Sequence, residues 1–274
     1  MALKDRTNLD TYGQVIDQNG NPVAGVKIKG EAKQAWEYKT YYTETDARGL
    51  FSFVDIHGRS FFIHPQKEGY GYNQKQLPER PQDYLADPAL PLRITMYKLK
   101  GAEPMIHNDT KGLPYWYAFL QPNGDPARIN MRTCRDDKYI GERQVTGERH
   151  YDLTIALHLD EPIKTNGNRW LVCNWSATVG ITNGGLVELP ANTLYPFEAP
   201  ADGYQPSLTF NFPTKMAGWT DHFEKSFYFK SDQGKTYGRM TMQMNNWGRL
   251  ALEIYANPAG SRNLEFDSKK QIMR

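Results

Sequence analysis

The chain has 274 residues, enough for two domains that each bury a core of their own. Its 33 Lys and Arg against 31 Asp and Glu leave a net charge of +2, which excludes a global field that would draw it to nucleic acid or an anionic membrane. Aromatics at 13%, with 23 Gly and 17 Pro, suit a turn-rich β-protein and disfavour long helical bundles.

Residues 1–11 (MALKDRTNLDT) are polar and lack the apolar core of a signal peptide, which is consistent with a leader trimmed from the native start. Val15 then leads into an Asp17-Gln18-Asn19-Gly20 turn, where Asn19 and Gly20 are expected to supply the positive φ angles of a tight hairpin. In the next strand Val26 and Ile28 alternate with Lys27 and Lys29, aliphatics to one face and ammonium groups to water. The Thr45–Gly49 turn opens onto Phe51 and Phe53, which share a face and can anchor a small sandwich core. Ser60 to Pro65 reads as a further strand, closed by Glu68-Gly69-Tyr70.

This succession from Tyr12 to Tyr70, with the order GxVxDxxGxPVAGVxV, then TDxxGxFxF, then a strand ending in Gly69-Tyr70, resembles the carboxypeptidase regulatory-like domain. The resemblance implies a transthyretin/CnaB-like β-sandwich acting as an accessory module. It also implies a secreted or cell-envelope location in a bacterial protein.

From Gly71 to Pro91 a Pro-rich, charged insertion follows, and Leu92 to Leu99 alternates again to complete a domain spanning residues 12–100. The polar stretch Lys100–Lys111 marks the boundary, with a larger domain over 101–274. There Leu153, Ile155, Leu157 and Leu159 share one face, as do Phe223, Lys225, Phe227 and Phe229. Met240, Met242 and Met244 oppose Thr241, Gln243 and Asn245; Leu250, Leu252 and Ile254 oppose Ala251, Glu253 and Tyr255. Four such runs, separated by turns at Asn183-Gly184-Gly185, Ala201–Tyr204, Asn246-Trp247-Gly248 and Asn257–Ser261, predict a second, jelly-roll-like sandwich. The fold class is therefore all-β, two sandwiches in sequence. No apolar run approaches the ~20 residues that cross a bilayer.

Four constellations bear on chemistry. His158-Leu159-Asp160-Glu161 matches the HxxE pair of zinc carboxypeptidases, with His222 available as a third ligand, but such an enzyme needs an α/β scaffold and these residues read as strands. An isopeptide bond needs a buried, neutral lysine, whereas Lys27 and Lys29 face water. Acidic groups at Asp109, Asp136-Asp137 and Asp160-Glu161 are explained by solvated turns, and neighbours on a strand point to opposite faces. Asp17–Gly20 lacks the ligand spacing of an EF-hand. The two cysteines, Cys134 and Cys173, allow one bridge between neighbouring strands, with two free buried thiols as the simpler reading.

Carbohydrate binding is the fourth, because sugar C–H faces stack on Trp and Tyr while polar groups at the rim bond the hydroxyls. Candidates at expected strand ends are Trp116, Tyr204, Trp219, His222 and Trp247; Trp170 and Trp175 read as core. No metal, no cofactor and no nucleic-acid partner is expected. The expected function is a non-catalytic extracytoplasmic bacterial module that contacts a glycan or a cell-envelope protein, with homo-oligomers formed through sheet edges as a variant. The alternative is a polysaccharide hydrolase or lyase using the C-terminal sandwich.

Overall fold

The computed structural model describes residues 7–34, 36–73, 86–110, 118–132, 135–136, 151–160 and 172–272. Among them every regular element is a strand, apart from single 3₁₀ turns at Asp232–Gly234 and Ser268–Lys270. The chain divides into two compact units, Met1–Gly101 and Ala102–Arg274.

The N-terminal unit runs β1 (Thr7–Asn8), β2 (Thr11–Asp17), β3 (Lys27–Gln34), β4 (Glu37–Glu44), β5 (Leu50–Phe53), β6 (His57–Gly58), β7 (Ser60–Gln66), β8 (Tyr70–Gly71) and β9 (Leu92–Lys98). One sheet has the order β5-β2-β9-β8 and a second β4-β3-β7, with β1 and β6 paired apart. β2 and β9 are parallel, Gly13 opposite Leu92 through Asp17 opposite Met96. Alternation places Val15, Val26, Ile28, Phe51, Phe53, Phe61, Ile94 and Met96 in one core. Within it Phe53 meets Phe61 edge to face at 5.0 Å. Lys27 is exposed and Lys29 Nζ lies 2.7 Å from Glu31 Oε1, a partner that raises the lysine's pKa and keeps the amine charged. Neither lysine is the buried, unpaired amine that an isopeptide bond requires.

Two aspartates build the turns. Asp17 Oδ1 accepts from the backbone N–H of Asn19 (2.8 Å) and of Asn21 (2.9 Å), so Gly20 alone takes a positive φ, 85°, and Asn19 does not. The aspartate carboxylate closes the reversal that a second left-handed residue was expected to close. Asp46 Oδ1 does the same for Arg48 N–H (2.9 Å) and Leu50 N–H (2.8 Å). The turn ends on Gly49 at φ 73°, where a Cβ would stand 2.3 Å from Val15 O. That carbonyl cannot retreat, because it accepts from Val23 N–H at 2.9 Å.

The C-terminal unit comprises β10 (Ile106–Asp109), β11 (Ala118–Phe119), β12 (Ala127–Asn130), β13 (Arg135–Asp136), β14 (Leu153–Leu159), β15 (Trp175–Ile181), β16 (Gly185–Glu188), β17 (Ser207–Phe212), β18 (His222–Ser231), β19 (Thr236–Asn245) and β20 (Arg249–Asn257). They form a six-stranded sheet, β10-β20-β19-β18-β16 with β11 also on β20, and a five-stranded sheet, β13-β12-β14-β15-β17. All pairings are antiparallel. The inner rows are those the alternation predicts: Leu153, Ile155 and Leu157 from one sheet meet Phe223, Phe227, Phe229, Met240, Met242, Met244, Leu250, Leu252 and Ile254 from the other. Each such side chain removed from water contributes about 1.5–3 kcal/mol. The outer face of the six-stranded sheet is also covered at one end, where Met105, Ala199 and Leu264 lie over Tyr228.

Replacing Gly49 by Ala is expected to cost roughly 2 kcal/mol or more, since left-handed strain and a backbone clash add; urea unfolding followed by hydrogen exchange of β2 and β5 reads it. Both turn carboxylates have lowered pKa values. For Asp46 the causes are led by the Leu50 N–H; for Asp17 burial, which raises it, is the largest single influence but is outweighed by the bonds from Asn21 and Asn19. The stability they add is complete above the unfolded aspartate value of ~3.9 and is lost as pH falls below it through the lower folded values. Thermal melts between pH 5 and pH 2 should show a fall that is shallower in the Asp17→Asn, Asp46→Asn double variant.

Candidate functional site

Side chains at even positions of β18 and odd positions of β19 and β20 point out of the six-stranded sheet, opposite its core rows. Cross-strand register gathers them into rows. His222 faces Asn245, Glu224 faces Gln243, and Ser226 faces Thr241, which faces Glu253 and then Asp109. A further row runs Tyr228, Arg239, Tyr255, His107. One end of this face is open and the other covered.

At the open end a groove of about 490 Å³ lies between the start of β18 and the β19–β20 hairpin. His222, Glu224, Gln243, Asn245 and Arg249 give it a polar wall, while Phe223 and Met244, which also border it, turn their side chains into the core. Asn245 Oδ1 closes the hairpin by accepting from the N–H of Trp247 (3.1 Å) and of Arg249 (3.0 Å), and Gly248 turns at φ 84°. This leaves the Trp247 side chain at the tip, 38% exposed. His222 Nδ1 lies 2.7 Å from Asp221 Oδ1, within hydrogen-bonding distance of that carboxylate. Gln243 Nε2 donates to Glu224 Oε2, holding that carboxylate against the wall.

Toward the covered end the groups are tied to one another. Ser226 and Thr241 hydroxyls meet at 3.0 Å, and Tyr255 OH donates to Glu253 Oε1 at 2.8 Å, with His107 Nε2 3.6 Å from the same oxygen. The Arg239 guanidinium stands 4.0 Å above the Tyr255 ring, which stacks at 4.3 Å on His107. Burial lowers the Arg239 pKa and, with the Glu253 carboxylate second, pushes the Tyr255 phenol up to about 12.

Of the five residues singled out from the sequence, the structure brings two together. His222 and Trp247 stand at the same sheet end. Trp219 instead donates its indole N–H to Cys173 O at 3.1 Å and packs on the core. Tyr204 donates to Pro200 O at 2.9 Å with Lys230 Nζ 4.9 Å over its ring; Lys230 is eight residues along β18 from His222, roughly 27 Å away. Burial raises its phenol's pKa. Trp116 lies outside the described residues, as do Cys134, Asp137, Glu161 and Trp170. Cys173 is a free, buried thiol whose pKa burial raises.

His158 and His222 project from the outer faces of different sheets, and His158 Nε2 sits 3.5 Å from Asp160. Among the described residues no three His, Cys, Asp or Glu side chains converge on one point. Sequence reasoning passed over Glu224 and Arg249 as wall groups, although alternation already put Glu224 opposite Phe223; the missing signal was which strand lies beside β18.

No protein-family model matches the chain, and no curated protein does. A solved structure, that of the streptococcal ancillary pilin, is similar at 13% identity with a TM-score of 0.22, over 76% of this chain and 59% of that one. The chain thus spans less than two thirds of that structure's length. A TM-score of this size assigns neither fold nor function.

Tyr255 supplies a test of the covered end. Its phenol is expected to titrate near pH 12, so stability falls as pH rises from the unfolded value of ~10 toward it, the unfolded chain losing its proton first. Glu253→Gln should lower the titration only part of the way toward ~10, because burial is the larger cause. NMR of ¹³Cζ-labelled tyrosine measures both.

Proposed function

We propose that the protein is a non-catalytic, envelope-side binding module that takes a glycan in the groove of the C-terminal unit. The observation that carries the reading is a groove whose wall sets donors and acceptors on neighbouring strands, with Trp247 exposed at the tip of the adjoining hairpin. A sugar ring asks for this pairing: an aromatic surface for its C–H face and directional polar groups for its hydroxyls. Among the described lining residues there is one carboxylate, Glu224, and it is tied to Gln243. Acid-pair glycoside hydrolysis uses two carboxyl groups facing each other across the substrate, so the groove favours binding over cleavage.

In this reading residues 12–100 form a carboxypeptidase regulatory-like accessory domain and residues 101–274 the binding domain, a jelly-roll-like sandwich. Support for the first part comes from the turns at Asp17–Gly20 and Asp46–Gly49, where the motif's glycines take the positive φ angles that their positions require. A secreted or cell-envelope location follows from that resemblance.

The full chain applied to a glycan array should be retained on a subset of the glycans. Trp247→Ala and Arg249→Ala should each weaken binding about tenfold or more, ~1.4 kcal/mol, with an unchanged urea midpoint. Retention on no glycan rules the reading out.

A further inference from the structure

Strand β4 is the outermost strand of the three-stranded sheet, and among the described residues no strand pairs with its free edge. It is eight residues long, without proline or glycine, and carries two exposed tyrosines, Tyr38 at 55% and Tyr42 at 76%, with Trp36 at 99% just before it. Natural edges are commonly blunted by a bulge, a proline or a charge aimed along the edge. Here the one cation on the strand, Lys39, lies over the ring of Tyr41 at 5.2 Å.

The ladder shows which groups the edge offers. Thr45 N–H donates to Val26 O, and on the other side of β3 Arg59 N–H donates to Lys33 O. Antiparallel alternation then turns the N–H and C=O of the odd residues of β4 toward β3 and those of Tyr38, Thr40, Tyr42 and Glu44 outward. A partner strand must present outward groups at matching positions.

We infer that this edge pairs with the same edge of a second copy, antiparallel about a two-fold axis at Thr40, to make one continuous six-stranded sheet. The sequence around Thr40 is nearly its own reverse, Tyr38-Lys39-Thr40-Tyr41-Tyr42. In this register Thr40 faces Thr40, each Tyr38 faces the other copy's Tyr42, and each Lys39 faces the other copy's Tyr41, the ring type it already covers within its own chain. Glu37 falls opposite Thr43 and Glu44 opposite Trp36, so like charges stay apart. A slip of one residue would set outward N–H groups against inward ones and form no ladder. The outer face then reads across both copies as Phe62, Glu31, Thr40, Thr40, Glu31, Phe62. This surface belongs to the N-terminal unit and is independent of the groove.

The native full chain should show a concentration-dependent doubling of mass by sedimentation velocity. Thr40→Lys places two ammonium groups on the axis, while within one chain it faces Glu31 and is tolerated; it should weaken association at least tenfold. Thr40→Pro removes an outward N–H and should do the same. Oxidation of Thr40→Cys should give a cross-linked dimer that the native chain, with its own cysteines, does not form, because a hydrogen-bonded antiparallel pair holds its Cα atoms about 5.5 Å apart, within disulfide range. A chain that stays monomeric to millimolar concentration overturns the proposal. A dimer that survives both Lys and Pro substitutions, or that yields no cross-link from Thr40→Cys, overturns it equally.

Discussion

Three rings, Trp175, Phe212 and Phe223, join the two sheets of the C-terminal unit directly beneath the groove. Trp175 stacks on its cross-strand neighbour Phe212 at 4.2 Å, and Phe212 stacks on Phe223 of the opposite sheet at 5.4 Å. The same indole donates to Thr220 O at 2.9 Å, while Trp219 returns a bond to Cys173 O at 3.1 Å. Two tryptophans thus clamp residues 173–175 against 219–220 from both sides. The entry of β18, and with it His222 and the core residue Phe223, is located by that clamp. Truncating a tryptophan so placed costs about 3–5 kcal/mol, and here the loss would fall on the shape of the groove as well as on the fold.

The covered end of the same sheet answers to a different requirement. Arg239 brings a cation into a half-buried row, where an uncompensated charge is expensive. Its compensation is mostly aromatic: the Tyr255 ring beneath the guanidinium, with Tyr255 itself bonded to Glu253 and backed by His107. One sheet therefore carries a covered half built on ring stacking and an open half whose polar groups border a groove. That division is why the proposed glycan site is placed at the groove rather than at the more strongly perturbed Tyr255 and Arg239.

Much of this was legible in the residues alone. The alternation of Leu153 to Leu157, of Met240 to Met244 and of Leu250 to Ile254 marks core rows, and period-two patterning fixes which side chains share a face. The glycine turns at Asp17–Gly20 and Asp46–Gly49 were readable for the same reason, though the closure of the first by the Asp17 carboxylate was not. What periodicity does not contain is adjacency between strands distant in sequence. Nothing local says that Asp109 belongs in a row with Glu253, Thr241 and Ser226, or that β9 lies parallel beside β2. Tryptophans show the same limit: Trp219 and Trp247 both flank turns, and only tertiary contact makes one a clamp and the other an exposed lip.

The parallel pairing of β2 with β9 sets an order on the making of this protein. As the chain leaves the ribosome, β2 can find β5 early, but its other edge stays open until Lys98 has emerged. Ile94 and Met96 arrive with it, so the sandwich core is missing two of its buried members for the same interval. During that time the β2 edge that β9 will cover is unpaired. The first sandwich therefore cannot close until residues 54–98 have all been made.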